Sequence, residues 1–161
     1  MLLFPYEKLT IATALSRAEV KQRIESIIAT VPDRIVVSSL QDIFRHRETD
    51  QFKGSVNDEG FRLQRIIYYR NSFLPVVKGR FVQGNLGTDI LVSMTLHPLV
   101  LLFMLVWFGL LASMVVSVVR DGSNVAMLPV PFGLILFGWI VVQLGFSSEA
   151  EKARKIIHDL F

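Results

Sequence analysis

The spacing of apolar residues along this chain runs from a period of two to a helical period, returns to two, and then gives way to unbroken apolar runs. The segment Tyr6–Ala14 (YEKLTIATA) alternates and predicts a first strand. Ser16-Arg17-Ala18-Glu19 is a capping box, in which the serine hydroxyl accepts from an orphan amide and Glu19 reaches back. A helix follows, with Val20, Ile24, Ile27, Ile28 and Val31 on one face and Pro32 where it should stop. Residues 33–50 (DRIVVSSLQDIFRHRETD) suit a second short helix through Ile35, Val36, Leu40, Ile43 and Phe44, although Ile35–Ser38 alone suits a strand. The helix is the reading adopted.

From Gln51 to Thr95 the period is two again. FKGSV, FRLQRIIYY, VVKGRFVQ and TDILVSMTL are separated by turn-forming runs, which predicts an antiparallel β-meander. Alternation puts Phe52, Val56, Phe61, Leu63, Ile67, Phe81, Ile90, Val92 and Met94 on one face. Lys53, Ser55, Arg62, Gln64, Arg70, Lys78, Arg80, Ser93 and Thr95 fall on the other, so one face is core and the other is wet and basic. Arg65 falls in the apolar row, which places it near an edge or pairs it with a carboxylate.

Two charge-free runs come next, 21 residues from Leu99 to Val119 and 22 from Val125 to Phe146. As helices they would be about 31–33 Å long, enough to cross a hydrocarbon core of about 30 Å. The turn Arg120-Asp121-Gly122-Ser123-Asn124 joins them as a tight antiparallel hairpin. His97-Pro98 opens the first span, with proline suited to the first helical turn. Beyond the hairpin, Ser148-Glu149-Ala150-Glu151 is a second capping box, followed by an apolar stripe of Ala153, Ile156, Ile157, Leu160 and Phe161. The polar side of that last helix (Glu149, Glu151, Lys152, Lys155, Asp159) is mixed in sign, so it is expected to pack on the sheet rather than lie on lipid.

The expected division is a cytoplasmic α+β domain over 1–95, a transmembrane hairpin over 96–146 with spans at 99–119 and 125–146, and a C-terminal amphipathic helix over 147–161. The fold class is an α+β membrane protein, an antiparallel meander with N- and C-terminal helices. With the hairpin set aside, the element order resembles a helix-grip or START-like fold, with a pleckstrin-like sheet as the second candidate. The run FKGSV…GFRLQRIIYYRNSFLPVVKGRF…GTDILVSMTLHP, about half the chain, also resembles small bacterial membrane proteins that carry a comparable R-N-S-F-L-P stretch before a helical hairpin. That resemblance implies no activity for any residue.

Composition sharpens the picture where charge is concerned. Hydrophobic residues make up 52% of the chain, and the net charge is +3. Thirteen Lys or Arg stand against ten Asp or Glu before Thr95, which fits a domain beside an anionic leaflet and gives no reason to invoke nucleic acid. Lys78, Arg80, Lys152, Arg154 and Lys155 flank the hairpin on one side against Arg120 in its turn, so both termini are expected in the cytoplasm, with the spans in the inner or an internal membrane. MLLFPYEKLT lacks the basic and apolar regions of a secretory signal. The absence of cysteine excludes disulfides and thiolate metal sites.

Candidate chemistry is sparse. Arg65, Arg70, Asn71, Lys78 and Arg80 could form a polar patch contacting lipid phosphates or an acidic partner, since the arginine fork pairs well with phosphate. Gly109, Ser113 and Ser117 stand four apart in the first span, and Gly138 and Gly145 a heptad apart in the second; such small residues let helices approach closely. Gln143 is the one strongly polar side chain deep in the second span, too little for an ion path. No P-loop, dinucleotide fingerprint, zinc-ligand spacing or nucleophile elbow is present, so neither enzymatic activity, nor a cofactor, nor a metal is expected. The expected function is a non-catalytic accessory or assembly subunit, with membrane lipids and a membrane protein or a second copy as partners. The alternative is a module holding a lipid or small apolar ligand between sheet and helices, beside Phe52, Phe61 and Phe81.

Overall fold

The computed structural model describes residues 4–28, 52–122 and 125–161. Strand β1 (Tyr6–Thr13) and helix α1 (Arg17–Ser26) precede β2 (Phe52–Val56), β3 (Gly60–Arg65), β4 (Val76–Gln83) and β5 (Thr88–Thr95). Helix α2 (Pro98–Asp121), a 3-10 turn (Val125–Met127) and helix α3 (Pro129–His158) complete the chain. The five strands form one antiparallel sheet in the order β1-β5-β4-β3-β2, so β1 closes the meander by pairing with its last strand.

Alternation along the strands sorts their residues as expected. Phe52, Phe61, Leu63, Phe81, Ile90, Val92 and Met94 are buried and share a core with Val20 and Ile24 of α1 and with Phe146, Ala150, Ala153 and Ile157 of α3. Val56 and Ile67 are only half-buried. The phenylalanines interlock: the rings of Phe61 and Phe81 have centroids 5.9 Å apart, and a Cβ at Gly79 would lie 2.1 Å from the Phe61 ring. Both rings lie on the core face of the sheet and are 5% exposed.

The Ser16 capping box forms, with Ser16 N–H donating to Glu19 Oε2 at 2.8 Å and Glu19 N–H donating to Ser16 Oγ at 3.4 Å. Helix α1 ends earlier than expected, because Ile28 makes a parallel bridge to Phe52 and Phe52 N–H donates to the Ile27 carbonyl at 3.1 Å. The remainder of that expected helix, and the helix expected over 33–50, lie outside the described residues.

Helices α2 and α3 are long and apolar enough to cross a membrane. Leu99, Leu102, Leu105, Leu110, Leu136, Phe137 and Leu144 are all more than half exposed, an apolar surface consistent with such a crossing. His97 caps α2 through Nδ1, which accepts from Leu99 N–H at 3.3 Å, and Gly122 ends it in the left-handed region at φ 61°. The second apolar helix starts at Pro129 rather than Val125, since Pro129 and Pro131 suit a first turn and cannot lie deeper without costing backbone hydrogen bonds.

A larger departure lies at the other end of that helix. No break occurs at Phe146, and α3 runs for 30 residues, about 45 Å, from the apolar hairpin into the core of the sheet domain. The second capping box does not form; Ser148 stays helical and its Oγ donates to the Gly145 carbonyl at 3.4 Å. Capping would require an extended Ser148 and would swing Glu149, Ala150 and Ala153 away from the positions where they are buried.

Candidate functional site

The densest polar arrangement sits where α3 leaves its apolar section and meets the β3–β4 connection. Strand β3 ends at Arg65, short of the strand expected to continue to Tyr69, because residues 66–75 turn away from the sheet and dock on α3. Arg65 Nη1 and Tyr69 Oη donate to the two carboxylate oxygens of Glu149, and Lys152 Nζ donates to Oε1 at 2.8 Å. Lys152 Nζ also lies 3.4 Å from Tyr69 Oη. One turn earlier, Asn71 Nδ2 donates to the Gly145 carbonyl at 3.0 Å, while Asn71 Oδ1 accepts from Phe73 N–H at 2.9 Å.

Glu149 is 1% exposed, so a residue expected on the polar side of its helix is the most buried acid described. Burial pushes its pKa up, but hydrogen bonds from Lys152 and Tyr69 and the charges of Arg65 and Lys152 outweigh that and hold it below the ordinary glutamate range. The signal for this pair was present in the sequence. Arg65 falls in the apolar row of a strand, and Glu149 continues the stripe of Val142, Phe146, Ala150 and Ala153; each is a charge at a core position, and they have opposite signs.

The polar patch expected from Arg65, Arg70, Asn71, Lys78 and Arg80 is not a single surface. Arg65 lies on the core side and is taken up by Glu149, and Asn71 is taken up by Gly145 and Phe73. Arg70 is exposed in the connection. Lys78 and Arg80 are exposed on the opposite, open face of the sheet, because the register sets Lys78 between Arg62 and Ser93. The pairing of β1 with β5 adds Lys8 beside Ser93, so that Lys8, Lys78 and Arg62 form a row across the open face, with Arg80 and Lys53 nearby. Asp89 is the acid that the register places on this face among the described residues.

The small residues also divide. A Cβ at Gly138 would sit 3.5 Å from the Phe108 ring, so Gly138 serves the packing of α2 on α3. Gly145 faces the connection, where a Cβ would sit 2.9 Å from Phe73 Cδ2. Gly109, Ser113 and Ser117 are exposed, with Ser113 Oγ donating to the Leu110 carbonyl at 2.8 Å and Ser117 Oγ 3.4 Å from Asp121 Oδ2. They lie away from Val100, Met104, Phe108, Leu111 and Val115, the less exposed stripe of the same helix.

Between the start of β1 and α3, a cavity of about 260 Å³ is lined by Phe4, Tyr6, Glu7, Trp139, Ile140, Gln143, Leu144, Phe146 and Ser147. Glu7 pairs there with Arg154 at 3.1 Å. No group of three or more His, Asp or Glu side chains among the described residues is placed to hold a metal ion. Comparison with protein-family models, curated proteins and solved structures gives no match.

Proposed function

We propose that this chain is a membrane-anchored, non-catalytic accessory or assembly subunit of a membrane protein complex. The observation that carries this reading is the outer side of α2, where Gly109, Ser113 and Ser117 are exposed and no atom lies within 4 Å of a Cβ placed at Gly109. Small residues four apart let another helix approach closely, and the hairpin does not use them for its own packing. Their partner is a membrane helix of another subunit or of a second copy.

The apolar helices lie in the inner or an internal membrane with both termini cytoplasmic, since Lys78, Arg80, Lys152, Arg154 and Lys155 stand on the domain side against Arg120 at the turn. The continuous α3, fixed to the domain through Glu149 and Gly145, makes the hairpin and the domain one lever rather than a head on a tether. The open basic face then offers Lys78, Arg80, Arg62 and Lys8 to lipid phosphates or to an acidic partner surface. A ligand held in the interior beside Phe52, Phe61 and Phe81 is less favoured, because those buried rings are themselves part of the core.

Native mass spectrometry of the chain extracted in mild detergent from its own membranes tests the reading. A stoichiometric protein partner or a second copy is expected; a lone monomer would overturn it.

A further inference from the structure

We infer that the groove between β1 and α3 is a binding site for one phospholipid with a primary-amine headgroup. The inference needs only that α2 and α3 lie in a bilayer, and stands apart from the subunit reading.

Position comes first. Trp139, Ile140, Gln143 and Leu144 belong to the last turns of α3 before its first charged residue, Glu149. Ile140 and Leu144 are 41% and 66% exposed, and Phe4 is 77% exposed, so this end of the groove opens to the lipid side. Tyr6 carries a phenol ring, a residue type that settles at the interfacial level of a bilayer, while Trp139, ten residues or about 15 Å before Glu149, extends the groove toward the depth of the acyl chains. At about 260 Å³ the cavity is below the roughly 300–1,000 Å³ that encloses a drug-sized ligand. It therefore suits part of one acyl chain and not a whole two-chain lipid.

The polarity of the groove then selects the headgroup. The lining runs along one side of α3 from Trp139 and Ile140 through Gln143 to Ser147, and Arg154 continues that side about 10 Å further on. Glu7 closes the groove at that end, and its carboxylate meets Arg154 there. The Arg154 and Glu7 side chains keep 50% and 21% of their accessibility, so both remain reachable. An anion-binding fork beside a carboxylate matches a zwitterion: phosphate to Arg154 and ammonium to Glu7. A primary ammonium has N–H groups to donate to Glu7, whereas choline has none and is recognised by aromatic faces instead. A glycerol headgroup carries the same phosphate but is uncharged beyond it, and so offers Glu7 no cation to balance its carboxylate.

The test is native mass spectrometry of the full chain in mild detergent, titrated with dioleoyl phosphatidylethanolamine, phosphatidylcholine or phosphatidylglycerol. A single ethanolamine-lipid adduct is expected, retained about ten-fold more than either of the other lipids, since one charge-assisted hydrogen bond is worth that much. Equal retention of the choline lipid would leave selection to the aromatic rings and overturn the assignment, as would preference for the glycerol lipid or no adduct at all. In Glu7→Gln, ethanolamine selectivity is expected to fall to near parity; a variant with unchanged selectivity would also overturn it. The comparison among lipids on the unaltered chain keeps the test decisive should the variant not fold.

Discussion

Arg65 and Glu149 lie 84 positions apart in the chain and meet as an ion pair where β3 gives way to the connection that docks on α3. Glu149 is almost fully buried, Arg65 is 18% exposed, and Tyr69 and Lys152 complete the carboxylate's partners. Removing one member of such a pair strands the other, a cost of about 3 kcal/mol. Glu149→Ala is therefore expected to lower the denaturation midpoint of the detergent-solubilised chain strongly, and Tyr69→Phe to lower stability by about 1 kcal/mol for one hydrogen bond. Arg65 Nε has no hydrogen-bond partner among the described residues, so the pair is incompletely satisfied. Replacing both members, as in R65M/E149L, should recover most of the loss, and a double variant no more stable than Glu149→Ala would contradict this account.

The same carboxylate sets a pH dependence. Its folded pKa is below the ordinary range, so its contribution is complete above the unfolded value, about 4.3, and is lost as pH falls through the folded value. Acid should therefore loosen the attachment of residues 66–75 to α3. Protection of the Asn71 and Phe73 amides from hydrogen exchange, taken relative to the intrinsic rate at each pH from 7 downward, should fall below about pH 4.3 in the native chain. In Glu149→Gln, which cannot titrate, that acid limb should be missing.

Much of this architecture was legible from local pattern. Alternation identified the strands of the meander, the capping box at Ser16 started α1 correctly, and two charge-free runs identified the hairpin. What stayed hidden depended on contacts between distant segments. The pairing of β1 with β5, which brings Lys8 beside the row of Lys78 and Arg62, has no signature in either strand alone. The capping box at Ser148 is locally sound, yet the burial of Glu149, Ala150 and Ala153 against the sheet keeps the helix unbroken through it. Likewise, Arg65, Asn71, Lys78 and Arg80 cluster along the chain, but the strand register and the docking of residues 66–75 send them to opposite sides of the sheet.

The open basic face predicts a salt-sensitive association. If Lys8, Arg62, Lys78 and Arg80 contact an anionic surface, the charge reversals K78E/R80E should weaken co-purification of the partner, and raising salt should weaken the native complex in the same way. Both residues are exposed, so the folded stability of the double variant should change little. Co-purification that ignores both salt and the substitutions would remove this face from the interface.

Gly145 is fixed by close approach. A Cβ there would come within 2.9 Å of Phe73 Cδ2 and 3.2 Å of Phe73 Cβ, atoms near the backbone that cannot swing aside without moving the connection. Alanine gains about 1 kcal/mol in a helix over glycine, but overpacking costs about 1–3 kcal/mol, so Gly145→Ala should be neutral to destabilising. Gly145→Val should be clearly worse, with the amides of Asn71 and Phe73 losing exchange protection first. Gain of stability on both substitutions would mean that the connection does not pack against α3 as described.

Gly109 is the opposite case, and it separates an interface from a helix that merely faces lipid. Neither Gly109 nor Gly133 has any atom within 4 Å of where a Cβ would stand, so within one chain neither Gly109→Leu nor Gly133→Leu should lower stability, and helix propensity favours each by up to about 1 kcal/mol. Only Gly109 lies in line with Ser113 and Ser117 on the outer side of α2. A helix docked on that strip would be pushed away by a leucine, so Gly109→Leu should lose the co-extracted partner or second copy while Gly133→Leu keeps it. Equal retention by both variants would mean that lipid covers the strip, and equal loss would mean that bulk anywhere on the hairpin disturbs assembly. Selective loss at Gly109 alone identifies α2 as the helix through which this chain joins its complex.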